Sequence, residues 1–242
     1  MLNFVIKSLV FLLIAFTLAS PVFALGTYSI SPVLVKINAD EKMAGITITN
    51  ESDVSARFQV ESKRWRQSEG VDSYEETNDL IVSPPIFEMA PHAQQLIRVA
   101  LRHRGESLKE EQLYRLMIKE MQPQIKSLAM TGKVNTLMEF NLPVFFMPTH
   151  PISKVDWILQ KRGNMLQVKA VNSGNVHERV RGFKFYKQDS IEPFFSSPQF
   201  IGTVFPASTH EWRFELDKIP DTSVITMEVD TEQGSIKRPF SQ

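Results

Sequence analysis

The chain has 242 residues, with 27 lysines and arginines against 27 aspartates and glutamates, and it has no cysteine. This length allows two domains of ordinary size or one large domain, and a hydrophobic content of 43% is enough to build a core. The formal net charge of +0 excludes a global basic footprint for nucleic acid, and the missing cysteines exclude disulfides, thiol catalysis and thiolate metal sites.

The first segment is typical of a secretory signal peptide. Lys7 supplies the positive charge, residues 8–16 form an apolar run, and residues 22–24 end on the small Ala24. The apolar run is short for a bilayer span, which favours cleavage after Ala24 over an uncleaved membrane anchor. We therefore expect residues 1–24 to be a cleaved signal peptide, and the mature chain to be exported without stable membrane insertion.

Residues 25–146 have a pattern typical of short β-strands. Turn residues divide the pattern at about every ten positions, and apolar residues alternate with polar ones between them. Pro32 interrupts the opening strand, which predicts either an edge position or a switch of the chain between two sheets. The predicted strands of this block are 28–35, 44–49, 56–65, 80–87, 94–101, 113–121 and 134–146.

Pro148 and Pro151 end this block and suit a hinge between domains. Many short strands with turns at this spacing predict an all-β fold of two immunoglobulin-like β-sandwich domains. We expect residues 25–148 to form the N-terminal sandwich and residues 149–242 to form the C-terminal one. The strands predicted beyond the hinge are 165–171, 180–186, 209–216 and 223–229.

The sequence offers no constellation of residues for catalysis. No two of the five histidines stand at metal-ligand spacing, and there is neither a glycine-rich phosphate loop nor a G-x-S-x-G motif. Glu75 and Glu76 are adjacent carboxylates, but beside Thr77 they fit a solvated loop better than an acid–base pair. We therefore expect that the chain is not an enzyme and that it needs no metal or cofactor.

The three tryptophans leave one alternative function open. Trp65, Trp157 and Trp212 could form a platform for sugars, although each is more simply explained as a core aromatic of its own strand. A secreted carbohydrate-binding or adhesive β-sandwich protein is therefore the first alternative. A secreted hydrolase on a β-sandwich is the second alternative, and it lacks an evident nucleophile, base and orienting acid.

Several short motifs follow one another in a fixed order along the mature chain. They are 83–87 (Ser-Pro-Pro-Ile-Phe), 90–91, 94–99 (Gln-Gln-Leu-Ile-Arg-Val), 113–116 (Leu-Tyr-Arg-Leu), 142–148 (Leu-Pro-Val-Phe-Phe-Met-Pro), 171–175, and 205–207 with Trp212. Together these motifs resemble those of the PapD-like periplasmic chaperones of the chaperone–usher pathway, which assemble pili. The segments 113–116 and 142–145 are most similar to the archaic branch of that family, which builds thin or coat-type pili.

This resemblance implies both an architecture and a function. The two sandwiches would be joined by a short hinge in an L-shaped arrangement. The chain would bind, fold and cap pilus or fimbrial subunits by lending them a β-strand, which is called donor-strand complementation. It would then deliver them to an outer-membrane usher. Its partners would be proteins and not nucleic acid, and self-association could occur when no client is present.

The strand predicted at 134–146 is the candidate donor strand. One of its faces carries apolar or β-branched side chains, and such a face on an open edge suits strand addition to a client. The simpler reading is that this face belongs to the core of the chain's own sandwich. The resemblance favours subunit binding, and the residues of the face are Val134, Thr136, Met138, Phe140 and Leu142.

The resemblance also implies an anchor for the C-terminal carboxylate of the client. In the best-known branch the anchor is an arginine and a lysine, but the matching positions here hold Leu34 and Pro143, which cannot bind a carboxylate. A guanidinium can grip a carboxylate through two parallel hydrogen bonds. Arg115 is therefore the first candidate anchor and Arg98 the second, with the lysines at 36 and 119 as weaker options.

Overall fold

The computed structural model describes residues 27–68, 70–103, 108–122, 136–199 and 201–241. All regular secondary structure in these ranges is β-strand. The predicted signal peptide lies outside them. Within these ranges there is no helix long and apolar enough to cross a membrane.

The first half of the chain forms two facing sheets. A four-stranded sheet has the order β1-β3-β8-β6, and a six-stranded sheet has the order β2-β10-β9-β4-β5, with β7 also paired to β4. The strands are β1 (Tyr28–Ser31), β2 (Val35–Ile37), β3 (Ala44–Asn50), β4 (Ala56–Ser68), β5 (Val71–Glu76), β6 (Leu80–Ser83), β7 (Ile86–Met89), β8 (Gln94–Leu101), β9 (Gln112–Glu120) and β10 (Glu139–Phe146).

Alternation along the strands builds the core between these two sheets. In β9, Tyr114, Leu116 and Ile118 are buried and face the core, because successive side chains of a strand point to opposite faces. Phe58 of β4 and Ile97 of β8 close the same core from both sheets. The apolar positions of the alternating sequence pattern are therefore the positions that are buried in the structure.

The opening strand changes sheet, as one of the two sequence interpretations predicted. β1 pairs with β3 in the four-stranded sheet, and β2 pairs with β10 in the six-stranded sheet. Pro32 lies in the short connection between them. Because proline cannot donate to a ladder, it suits the point where the chain leaves one sheet for the other.

Two predicted strands of this half differ from the observed ones. The strand predicted at 80–87 is two strands, β6 in one sheet and β7 in the other, because Pro84 and Pro85 interrupt the ladder between them. The strand predicted at 134–146 begins only at Glu139. Residues 136–138 precede it without strand pairing, and residues 134 and 135 lie outside the described ranges.

The second half forms another pair of sheets around its own core of buried aliphatic and aromatic side chains. A three-stranded sheet has the order β11-β12-β16, and a five-stranded sheet has the order β14-β13-β17-β18, with β15 paired to β13. The strands are β11 (Val155–Arg162), β12 (Met165–Asn172), β13 (Glu178–Lys187), β14 (Phe195–Ser196), β15 (Gly202–Val204), β16 (Thr209–Glu215), β17 (Val224–Thr231) and β18 (Gly234–Ser241).

The predicted all-β fold of two β-sandwiches is confirmed. The last strand of the first sandwich ends at Phe146 and the first strand of the second begins at Val155. The predicted boundary at residue 148 lies between these two strands and stays a prediction. The L-shaped arrangement also stays a prediction.

Candidate functional site

The first part of β10 has an unpaired edge. β9 pairs with all of β10, from Glu139 to Phe146, whereas β2 pairs only with Val144, Phe145 and Phe146. No strand in the described part of the chain pairs with residues 139–143 on the side where β2 would continue. Such an edge presents backbone donors and acceptors to any strand that can lie beside it.

The hydrogen-bond directions show which backbone groups face the open side. Met147 donates its N–H to the Ile37 carbonyl of β2 at 2.9 Å. Because N–H and C=O groups alternate in direction along a strand, those of Glu139 and Asn141 point to the same, open side. Pro143 also falls in this set, and its missing N–H would have pointed away from β9. A proline is tolerated at this position because no hydrogen bond between β10 and β9 is lost.

The predicted donor face is exposed at its start and buried towards its end. Thr136 is exposed, Met138 has a relative exposure of 40%, and Phe140 is half-buried against the core. Leu142 has a relative exposure of only 5% and belongs to the core of the chain's own sandwich. In this arrangement Leu142 has almost no surface left to bury against a client. Val134 lies outside the described residues.

Arg115 occupies the outer face of the six-stranded sheet. Its Cζ atom lies 3.7 Å from the centre of the Trp65 ring, and its Nε atom is buried without a hydrogen-bond partner among the described residues. Burial lowers the pKa of Arg115, and the charge of Arg179 lowers it further, while Tyr74 and Asp72 oppose the shift.

The surroundings of Arg115 define both its reach and its electrostatics. It stands directly opposite Pro143, yet its guanidinium leans towards Trp65 on β4, on the side of β9 away from the open edge. The effect of Arg179 on its pKa places a second positive charge near Arg115, from the other sandwich. Arg115 therefore has both the positive charge of Arg179 and the negative charge of Asp72 nearby.

Arg98 lies in the other sheet of the sandwich. It is exposed on β8, opposite Gly45 on one side and Ser83 on the other. Its placement gives no support to an anchor beside β10. Arg98 and Arg115 are not brought together.

The two lysines proposed as weaker options have different surroundings. Lys119 is held by Glu61, with Nζ and Oε2 2.6 Å apart. Lys36 is exposed on β2, opposite Phe145, and lines a cleft of about 410 Å³ between the sandwiches together with His177 and Arg179. Lys36 therefore lies in line with the open edge, because β2 occupies the place where a further strand beside β10 would end.

A buried contact between a carboxylate and an imidazole joins the two sandwiches behind the donor strand. The carboxylate of Glu111 lies 2.8 Å from Nδ1 of His177 through both oxygens, and the backbone N–H of His177 donates to the same carboxylate at 2.7 Å. The Glu111 side chain is 0% exposed and that of His177 is 4% exposed. Phe145 of β10 stacks on the His177 ring, with centroids 4.3 Å apart. The covered end of β10 is thus fixed against the second sandwich.

An apolar cluster completes the junction between the sandwiches. Trp65, Leu113 and Phe145 of the first half pack with Phe205 of the second, and the Trp65 and Phe205 rings meet edge to face at 4.8 Å. Gln67 adds hydrogen bonds to the backbone of residues 203 and 205. Together with the Glu111–His177 contact, these contacts hold the end of β10 in a fixed place relative to the second sandwich.

The tryptophans do not form an exposed platform. Trp65 and Trp212 are buried, and Trp157 is half-buried and stacked on Trp212 at 6.2 Å. Among the described residues there is also no group of three or more histidine, aspartate or glutamate side chains placed to hold a metal ion.

Two contacts near the candidate site were not predicted from the sequence. These are the Glu111–His177 pair and a contact in which Tyr28 donates its hydroxyl hydrogen to Glu120 at 2.8 Å. The partners are 66 and 92 residues apart along the chain. The sequence contains one indication of such contacts, which is a charged residue within a strand pattern, such as Glu120.

Comparison with known families identifies the class of protein that carries this fold. The family model of the pili and flagellar-assembly chaperones, PapD N-terminal domain, matches residues 27–151, which is just over half of the 242 residues. The chain therefore belongs to this family, as its motifs predicted. A family of assembly chaperones also confirms the expectation that the chain is not an enzyme.

Solved structures of chaperones share the fold of both sandwiches. A chain of the CsuC–CsuE chaperone–tip adhesion subunit pre-assembly complex, from the archaic Csu pili of Acinetobacter baumannii, is 20% identical with a TM-score of 0.62. That match covers 88% of this chain and 97% of that chain. A chain of the SafA pilin–SafB chaperone complex of Salmonella enterica is 16% identical with a TM-score of 0.59, and the match covers 90% of this chain and 98% of that chain.

A third solved structure has the same two-sandwich fold. The CupB2 chaperone of Pseudomonas aeruginosa is 18% identical with a TM-score of 0.55, and the match covers 88% of this chain and 100% of that chain. At these identities the likeness shows the fold. No curated protein sequence matched the chain.

Proposed function

We propose that this protein is a periplasmic chaperone that caps pilus subunits by lending them the open edge of β10. The observation that supports this function best is the unpaired stretch 139–143, which contains the half-buried Phe140 and directly follows the exposed Met138. A client that lacks one strand would gain backbone hydrogen bonds from the edge and would cover these side chains with its own core.

Burial of side chains and backbone pairing at this edge would provide the free energy of client binding, so that no external energy source is needed. Full burial of a methionine or phenylalanine side chain contributes about 1.5–3 kcal/mol, and backbone pairing adds to this. Thr136, Met138 and Phe140 are the described residues of the donor face with surface available for a client. Val134 stays part of the proposal from the sequence alone, and Leu142 would contribute by supporting Phe140 from within the core.

The client's C-terminal carboxylate would lie where the open edge ends. A client strand that runs in the same direction as β10 along residues 139–143 would stop where β2 begins, at Val35. Arg115, which stands opposite Pro143, is the proposed anchor, and its guanidinium would have to turn from Trp65 towards β10. Lys36, in line with the edge, is the second candidate, and Arg98 has no supporting geometry.

Two further parts of the proposal come from the family and its relatives. Structures of related chaperones contain pilin or tip subunits, which supports a subunit of this kind as the client. Delivery to an outer-membrane usher and membership of the archaic branch are proposed from the motifs. Self-association through the open edge in the absence of a client is proposed from the edge itself.

Co-expression tests the proposed function. The chain is produced in a bacterial periplasm with a pilus subunit that lacks its final strand, and the two proteins are purified through a tag on the subunit. We expect the subunit to be soluble and to bring the chaperone with it in equal amounts. A subunit that is equally soluble without the chaperone would contradict the proposal.

A further inference from the structure

The carboxylate of Glu120 ties the start of β10 to the other sheet of the sandwich. Oε1 accepts a hydrogen bond from the hydroxyl of Tyr28 at 2.8 Å, and Oε2 accepts one from the backbone N–H of Met138 at 3.0 Å. The backbone N–H of Glu120 also donates to the Met138 carbonyl at 2.8 Å. One side chain therefore connects β1, the end of β9 and the residue before β10.

This connection lies at the place where β10 needs support most. Residues 139–143 have a neighbouring strand on one side only, and residues 136–138 before them have no strand pairing. Strand ends with few partners open most easily in native proteins. If the start of β10 separated from β9, the open edge would no longer be straight enough to pair with a client.

Tyr28 is well suited to act as a permanent donor in this contact. Burial raises the pKa of its hydroxyl, and the hydrogen bond and charge of Glu120 raise it further, so the proton stays on the oxygen at physiological pH. Its ring meets Phe58 edge to face at 5.1 Å and Phe140 at 6.3 Å. The ring is thus fixed by the core on one side and touches a donor side chain on the other.

We infer that Tyr28 and Glu120 are positioning residues that hold the client-binding edge of β10 in place before a client arrives. This inference rests on the proposed function for its role in capture, although the contact itself does not. In this account the Tyr28–Glu120 contact orders the Met138 amide and holds Phe140 at the open side. A client then meets an edge that is already extended.

Hydrogen exchange of single amides tests the contact without any client. Tyr28→Phe removes the hydroxyl and keeps the ring, and we expect the Met138 amide to exchange about tenfold faster, since a hydrogen bond to a charged group is worth about that factor or more. In a Glu120→Ala background the same substitution should have no further effect, because the two residues act through one contact.

The second sandwich supplies a matched control. Tyr186 donates its hydroxyl hydrogen to Glu228 at 2.9 Å, so Tyr186→Phe removes the same kind of bond far from β10. We expect this variant to leave the exchange of the Met138 amide unchanged. Unchanged exchange in Tyr28→Phe, or an equal increase in Tyr186→Phe, would overturn the inference.

Client capture provides the second measurement. We expect Tyr28→Phe to slow association with a strandless pilus subunit by about the factor seen in exchange, and Tyr186→Phe to leave it unchanged. Faster exchange with unchanged or faster capture would overturn the positioning role.

The proposed function can fail separately from this inference. Normal client capture by Met138→Asp would refute the proposed function, whereas the Tyr28–Glu120 contact would still be tested by amide exchange. Loss of capture in that variant, with normal capture and normal exchange in Tyr28→Phe, would remove the inference alone.

Discussion

Met138 is the residue whose replacement bears most directly on client capture. It belongs to the predicted donor face, comes directly before β10 and is 40% exposed in the chain on its own. Replacing it by aspartate changes little in the free chaperone, because substitutions at exposed positions shift stability by about 0.5 kcal/mol or less. In a complex, however, the new carboxylate would have to enter the core of the client.

The size of the effect follows from this exposure. Full burial of methionine contributes about 1.5–3 kcal/mol, so the exposed 40% of Met138 corresponds to about 0.6–1.2 kcal/mol. Met138→Ala should therefore weaken client binding about three- to eightfold. Met138→Asp adds the desolvation of a charge, which costs several kcal/mol, and should weaken binding by more than about 100-fold.

The assay measures binding of a strandless pilus subunit to the purified variants, alongside their thermal unfolding. Ile191→Asp is the matched control, because Ile191 is a large apolar side chain, 94% exposed, in the second sandwich. We expect normal binding for this control. If Met138→Asp bound the subunit as the wild type does, with Val134 and Phe140 intact, the donor face would be refuted as the client-binding surface.

Three other predictions concern the junction and its titrating groups. Arg115→Ala should lower recovery of the chaperone–subunit complex while the chaperone stays folded. The lost stacking on Trp65 should lower the free energy of unfolding by about 1 kcal/mol. Unchanged co-purification of the subunit would show that Arg115 is not the anchor. His177→Ala removes the imidazole from the buried Glu111 carboxylate, although the backbone N–H of residue 177 still donates to it, and should lower the free energy of unfolding by about 1–3 kcal/mol in denaturant titrations; an unchanged free energy of unfolding would argue against a stabilising contact. Burial lowers the pKa of His210 below 6.5, so the unfolded chain binds this proton more readily and stability should fall as the pH drops through 6.5. His210→Gln should remove that part of the decline between pH 7.5 and 5.5, and an identical pH dependence in the variant would contradict it.

Most strands with a buried face were predictable from the sequence, although β11 was missed despite its buried Leu159, and the exposed strands β5 and β18 at the sheet edges were not predicted. β9 and β17 alternate between buried and less buried residues along their length, so their period was visible in the chain. β5 was missed because all six of its residues are exposed, and β18 was missed because it forms the edge of its sheet with no buried residue. Their pairing depends on the neighbouring strand and leaves no apolar period.

The candidate site was predictable in part for the same reason. The alternation of Met138, Phe140 and Leu142 indicated one face of a strand, but it could not show that burial increases from Met138 to Leu142. That gradient arises because the core of the chain's own sandwich already encloses Leu142, whereas Phe140 only packs against this core with part of its surface. The partners of Glu120 and Glu111 depend on contacts between distant strands, which a single sequence does not encode in any local pattern.

The backbone amides of the open edge show directly whether a client pairs with β10. The amides of Glu139 and Asn141 point away from β9, whereas those of Phe140 and Leu142 point towards it. We predict that the first two exchange quickly in the free chaperone and become strongly protected when a strandless pilus subunit binds. Rapid exchange of Glu139 and Asn141 in a saturated complex would show that the client binds elsewhere, and would contradict the account.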